Sequence, residues 1–154
     1  MFKKETGAPI KLIIAGKSLY KVKDIFQKHD QMLFKSDVIF TGRVSDEKIN
    51  DMLGAAFALT FVPTFEGFGI PVIEAMQCEL PVICSNITSM PEIAGNAALL
   101  VNPINVDEIK NAMINLYRSP SLRMDLIEKG RQRKNIFSWK RTADLLWKSI
   151  TKCL

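Results

Sequence analysis

A chain of 154 residues, 47% hydrophobic, 24% charged and 8% aromatic, can bury a sizeable core, which excludes disordered, collagen-like and disulfide-scaffold classes. No apolar run approaches the roughly 18 residues of a membrane span, and the opening Met1-Phe2-Lys3-Lys4-Glu5-Thr6 lacks the apolar centre of a signal peptide. The net charge of +5 is uneven: residues 110–154 hold eleven Lys and Arg against three Asp and Glu, and the remainder ten against thirteen, so the two parts face different partners.

In chain order, the first strand candidate is the apolar run 10–15, followed by an amphipathic helix in which His29, between Lys28 and Asp30, is expected on the surface. A second strand is expected at 38–41. Ser45, Asp46 and Glu47 then supply a cap and an acidic first turn for a helix whose Ile49, Met52, Leu53 and Ala56 share one face. Strand 58–62 leads through a loop to a helix starting near Pro71, and strands follow at 81–84 and 98–101. Asn105 with Glu108 resembles a capping box, ahead of Ile109, Ala112, Met113, Leu116 and Tyr117 in the i, i+3, i+4, i+7, i+8 pattern. Ser121 is expected to cap a further helix that stops near Gly130. Ser138 is expected to cap the last helix, with Ala143, Leu146, Trp147 and Ile150 as its apolar stripe.

The strand runs are almost wholly apolar, as in parallel strands covered on both faces. Strands alternating with helices predict an α/β fold: an open, doubly wound parallel sheet with helices on both faces and closing the C-terminus. No repeat or linker divides it, so residues 1–154 are expected to form one domain. Cys78, Cys84 and Cys153 form no CxxC pair, which argues against a disulfide framework or zinc site and for reduced, cytoplasmic thiols. Cys78 and Cys84 are expected to be buried as small apolar residues.

Ligands of doubly wound sheets bind outside the carboxyl ends of the strands, and residues 62–76 carry the chemistry expected there. After Val62 comes a loop with an acid, Glu66, and two glycines, Gly67 and Gly69, and then a helix with Pro71 in its first turn. The glycines allow close approach of the backbone to a ligand, and the helix start offers free N–H groups and a positive dipole end, a seat for phosphate. A Gly-x-Gly loop alone fits a plain structural turn equally well. Glu66 and Glu74 sharpen the reading, because carboxylates accept hydrogen bonds from sugar or ribose hydroxyls. Glu74 is either a solvent-facing helix residue or an acid awaiting a partner among the apolar Val72, Ile73, Ala75 and Met76. Phe68 either walls the site or fills core space. Phosphate at the amides and hydroxyls at the acids describe a nucleotide sugar.

Residues 66–76, EGFGIPVIEAM, resemble the Glu-x7-Glu signature of the group 1 retaining glycosyltransferases, enzymes with two Rossmann-like domains in the GT-B arrangement. Residues 11–16 resemble that family's "LxIxG" strand, 40–45 its "FxGxVs" turn and 80–85 its "GxPVxxS" strand. Pro91-Glu92-Ile93, residues 98–103 and Phe137-Ser138-Trp139 extend the resemblance nearly to the C-terminus. The resemblance implies a donor-binding C-terminal domain. Glu66 would contact the transferred sugar without being a nucleophile, the backbone of Gly67, Phe68, Gly69 and Ile70 would approach sugar and diphosphate, and Glu74 would hold the ribose. Arg43 and Val44 would lie near the base, and Gly16 would permit close approach at the end of the first strand. It further implies front-face transfer with retention, and neither a cofactor nor a metal, the phosphates being stabilised by amides and basic side chains.

The family's domain opens with an earlier strand ending in a "GR" turn and a lysine near a helix start, a pair that neutralises the donor diphosphate. Here Met1-Phe2-Lys3-Lys4-Glu5-Thr6-Gly7 resembles the end of the helix that follows that strand. The chain is therefore expected to be part of a longer two-domain enzyme, without the N-terminal acceptor domain. Lys17 and Arg43 would be partial substitutes for the missing charges. Alone, the chain is expected to bind donor weakly and to transfer nothing. Without the first strand, the remaining five take the expected order 2-1-3-4-5, and a gap there would instead leave edges that invite a homodimer. The basic closing helices are expected to meet the acceptor domain or the anionic surface of a membrane. Nucleic acid is set aside, because no recognition motif accompanies the charge. Two rivals remain: a nucleotide-sugar epimerase of the same architecture, and a non-catalytic interaction module.

Overall fold

Five strands and eight α-helices alternate among residues 1–17 and 22–153, the residues described by a computed structural model. They form two compact units, Met1–Ala55 and Ala56–Leu154.

In the first unit, α1 (Phe2–Thr6), β1 (Leu12–Ala15), α2 (Lys23–Asp30), a 3-10 turn (Lys35–Asp37), β2 (Val38–Gly42) and α3 (Asp46–Ala55) follow one another. β1 and β2 run parallel, from Leu12 opposite Val38 to Ala15 opposite Gly42. Phe40 anchors α2 to this pair, with the Phe26 ring 5.1 Å and the His29 ring 5.3 Å from its own. His29 is thus half-buried rather than on the surface, and its Nε2 lies 3.1 Å from the Lys35 carbonyl oxygen. Lys3 of α1 pairs with Asp37. The four β1 side chains are all exposed, against the expectation of cover on both faces. Among the described residues of this unit only Ala8 is buried, since so short a stretch of chain has few side chains with which to cover a sheet.

The second unit holds β3 (Leu59–Phe61), α4 (Ile70–Gln77), β4 (Val82–Ser85), α5 (Met90–Ala94), β5 (Ala98–Val101), α6 (Val106–Arg118), α7 (Pro120–Lys134) and α8 (Trp139–Thr151). Its strands pair in parallel in the order β3-β4-β5, with Val82 opposite both Leu59 and Ala98. The expected sub-orders 2-1 and 3-4-5 are therefore present within the two units. β4 is the central strand, and all four of its residues are buried. Ile83 and Val101 meet Ala112, Leu116 and Leu126, the inward stripes of α6 and α7.

Helix ends follow the local sequence. Asn105 caps α6 as expected, accepting from the Asp107 and Glu108 amides, but the return bond of a capping box is altered: Glu108 accepts from the Asn105 side-chain amide at 2.9 Å and from Asn102 N–H at 2.8 Å, while the Asn105 backbone N–H donates to the Asn102 carbonyl. α7 is capped by Ser119, whose hydroxyl accepts from Leu122 N–H, and not by Ser121, because Pro120 starts the helix two residues earlier than a Ser121 cap would. That helix also runs past Gly130 to Lys134. Gly130 is buried inside it, where a Cβ would stand 3.3 Å from Met76 Cγ, so this glycine serves close packing on α4 rather than termination. α4 ends at Gln77, and two residues beyond it Glu79, at φ 57, accepts from Arg131 of α7, which donates from Nε to Oε1 at 3.0 Å and from Nη2 to Oε2 at 2.7 Å. These bonds hold the Glu79 carboxyl below the usual carboxylate range. No helix among the described residues is long and apolar enough to cross a membrane.

The cysteines differ sharply: Cys84 is buried in β4, Cys78 half-buried and Cys153 exposed. Burial pushes the Cys84 thiol up to about 12, which starves it of reactive thiolate. At mildly alkaline pH an alkylating reagent is expected to modify Cys153 promptly and leave Cys84 intact, as read by peptide mass mapping. Equal rates at the two would contradict the placing of β4 in the core.

Candidate functional site

The second unit brings Glu66, Gly67, Phe68, Gly69, Ile70 and Glu74 together at the step from β3 into α4. That step lies beyond the carboxyl end of β3, where parallel α/β sheets receive ligands. Gly69 is the N-cap of α4, buried and at φ 111. It has no side chain to cap the helix; Val72 N–H turns back to the Gly69 carbonyl at 3.0 Å and Pro71 has no N–H, so among the described residues the Ile70 N–H is the first-turn donor left to water or a ligand. Pro71 takes the second helical position, where its missing N–H costs nothing. Gly67 is exposed, with open space where a Cβ would stand.

The helix presents one open face. Val72, Ile73, Ala75 and Met76 are buried, whereas Ile70 and Glu74, four residues apart and hence on one side, are exposed and half-buried respectively. Among the described residues no ion pair or hydrogen bond engages the Glu74 carboxylate. Glu66 is half-buried, and its Oε1 accepts only a long 3.4 Å bond from Phe68 N–H. The two acids therefore retain most of their accepting capacity. Phe68 is not core. It is 47% exposed and stands edge-on to Phe137, with ring centres 6.1 Å apart.

The remaining expected residues lie in the first unit, at the carboxyl ends of β1 and β2. Gly16, at φ 134, donates its N–H to the Gly42 carbonyl at 2.9 Å, and Gly42 itself is at φ 67. Lys17 and Arg43 follow these glycines, both exposed and without an ion pair among the described residues, while Val44 is half-buried. No cluster of His, Cys, Asp and Glu fit for a metal occurs among the described residues. A depression of about 490 Å³ along α8, flanked by Lys140, Arg141 and Lys148, contains none of the expected residues.

Ser89, Met90 and Phe137, which touch Glu66, Gly69 and Phe68, carried no functional expectation of their own. The Ser-Met-Pro-Glu stretch carries a serine and a proline at a helix start, a local signal for α5. Its contact with a loop 23 positions earlier is tertiary and has no local signature.

The parallel α/β build is the Rossmann-like one of GT-B glycosyltransferases. The structure of Alr3699/HepE from Anabaena, solved in complex with UDP-glucose, matches with a TM-score of 0.82 at 20% identity, over 98% of this chain and 44% of that one. The C-terminal domain of LpcC, a glycosyl transferase group 1 family protein from Francisella tularensis, matches with a TM-score of 0.76 at 22% identity, over 88% and 72%. Those likenesses are of fold. In sequence, the family described as "Glycosyl transferases group 1" matches residues 1–133, and the chain belongs to it. O-antigen chain mannosyltransferase B of Escherichia coli is 32% identical over 135 residues, 88% of this chain. The chain spans 35% of that relative's length.

Two glycine substitutions separate packing from openness. Gly69→Ala places a Cβ in the left-handed region and against the Met90 methyl, and is expected to cost about 3 kcal/mol in urea unfolding. Gly67→Ala, facing open space, is expected to stay within about 0.5 kcal/mol of the parent. Similar costs for both would contradict the described path of the loop.

Proposed function

We propose that this chain is the donor-binding part of a retaining glycosyltransferase that takes a hexose from a nucleoside diphosphate sugar. The observation that carries the reading is the pair of acids, Glu66 with a single long hydrogen bond and Glu74 with none among the described residues, on either side of a helix start at Gly69 that no side chain caps. Glu74 accepts from the ribose hydroxyls, Glu66 from the sugar, and the amides of Gly67 to Ile70 receive the diphosphate. Mannose is the sugar suggested by the 32%-identical mannosyltransferase. UDP-glucose bound to Alr3699/HepE supports a nucleotide sugar as the donor class.

In the full reaction the acceptor hydroxyl attacks the anomeric carbon on the face from which the diphosphate leaves. The sugar–phosphate bond breaks, its electrons go to the departing phosphate, and that phosphate takes the acceptor's proton. Glu66 orients the sugar and forms no bond to it. Uncapped N–H groups aimed at the leaving phosphate stabilise the charge that grows there. The acceptor is bound by a part of the protein outside these residues, so the chain alone is expected to bind and not to transfer.

Titration calorimetry separates the two roles. Glu74→Ala is expected to weaken the nucleoside diphosphate and its sugar ester alike by roughly tenfold, the worth of hydrogen bonds to a charged acceptor. Glu66→Ala should weaken only the sugar ester. Parent-like binding by both variants would contradict the donor site and favour a non-catalytic module.

A further inference from the structure

Loop 66–69 is held by residues from far along the chain. Ser89 stands at the N-cap of α5 yet makes no side-chain cap. Its Oγ donates instead to the Glu66 carbonyl oxygen at 2.9 Å. The residue before it, Thr88, is at φ 57, a left-handed setting that strains a β-branched side chain. The residue after it, Met90, is fully buried and fills the space that a Cβ on Gly69 would need. The far end of α5 is fixed in turn by Arg133, which donates to the Ile93 carbonyl at 2.9 Å and to that of Glu92. The same guanidinium lies 5.4 Å from the centre of the Phe137 ring, which meets Phe68.

Against this backbone anchoring, the Glu66 carboxylate is almost free. The 3.4 Å bond from Phe68 N–H is near the limit of a hydrogen bond and directs the side chain weakly. Where the carboxylate points is therefore set by where the Glu66 peptide sits, and the Ser89 hydroxyl holds that peptide. A serine normally favoured at an N-cap for accepting from its own helix here donates outward to the loop.

We propose that Ser89 is a positioning residue for the sugar: its hydroxyl fixes the Glu66 peptide so that the carboxylate meets the hexose of the donor. The inference rests on the reading of Glu66 as the sugar contact. It assigns Ser89 no contact with the nucleotide, so its removal acts on the sugar-dependent part of binding alone. That separates positioning from general support of the fold, which would affect nucleotide and sugar nucleotide together.

The test is ligand-observed NMR on this chain, with UDP, UDP-glucose, GDP and GDP-mannose as probes, applied to the parent, Ser89→Ala, Ser89→Thr and Glu66→Ala, with urea midpoints beside each. Ser89→Ala is expected to weaken the sugar nucleotide that the parent binds by roughly fivefold, the net worth of one hydrogen bond, and to leave the matching nucleotide unchanged. Ser89→Thr, which keeps the hydroxyl, should restore parent affinity. If Ser89→Ala fails to fold, Ser89→Cys takes its place with the same expectation. Equal loss for nucleotide and sugar nucleotide, or no loss, while Glu66→Ala weakens only the sugar nucleotide, would overturn the role of Ser89 and leave Glu66 in place. No effect of Glu66→Ala, or no binding of any probe by the parent, would overturn the donor-site reading and this inference with it.

Discussion

The closeness of α4 to its neighbours governs the second unit. At Gly69 the backbone meets Met90 with no room for a side chain, and one helix length later Gly130 of α7 lies against Met76. A Cβ at Gly69 would overlap the Met90 methyl and one at Gly130 would press on Met76, so either addition asks side chains in a closely packed interior to shift. With both glycines, α4 is wedged between α5 and α7, and Arg131 clamps its end through Glu79. Only the side of α4 carrying Ile70 and Glu74 stays open, so packing determines which face can receive a ligand. The open acid and the uncapped helix start follow from that wedge.

Much of this was legible along the chain. The five strands and the capped starts of α6 and α8 are local features, written in apolar runs and in Asn105 and Ser138. The site loop was legible because glycines, acids and a proline fall at a strand-to-helix step. What escaped was tertiary. Gly130 reads as a helix stop, because a glycine's use for close packing depends on the partner it meets. Ser121 and Ser119 compete as caps, and the proline between them decides for Ser119. His29 reads as solvated from its charged neighbours, yet its ring packs on Phe40 of β2. The exposure of β1 has a similar cause: four apolar residues in a row signal burial on both faces, but a strand is covered only if enough chain lies beside it.

The basic excess of residues 110–154 divides in the same way. In α7 four of the five cations are engaged: Arg123 with the Leu116 and Tyr117 carbonyls, Lys129 with Asp125, Arg131 with Glu79 and Glu128, and Arg133 with α5. In α8 and at its C-cap, Lys140, Arg141, Lys148 and Lys152 are exposed and form no ion pair among the described residues. A charge count weighs the two helices alike. The geometry makes α7 a brace for the site and leaves the free charge on α8.

In the proposed reading the loop from Glu66 to Gly69 and the start of α4 form the donor seat. Amide chemical-shift mapping of the labelled chain, with a sugar nucleotide added to millimolar concentration, tests this most directly. The largest shifts are expected on Gly67, Phe68, Gly69 and Ile70, with smaller ones around Glu74. Shifts confined to α8, or none at saturating ligand, would contradict it.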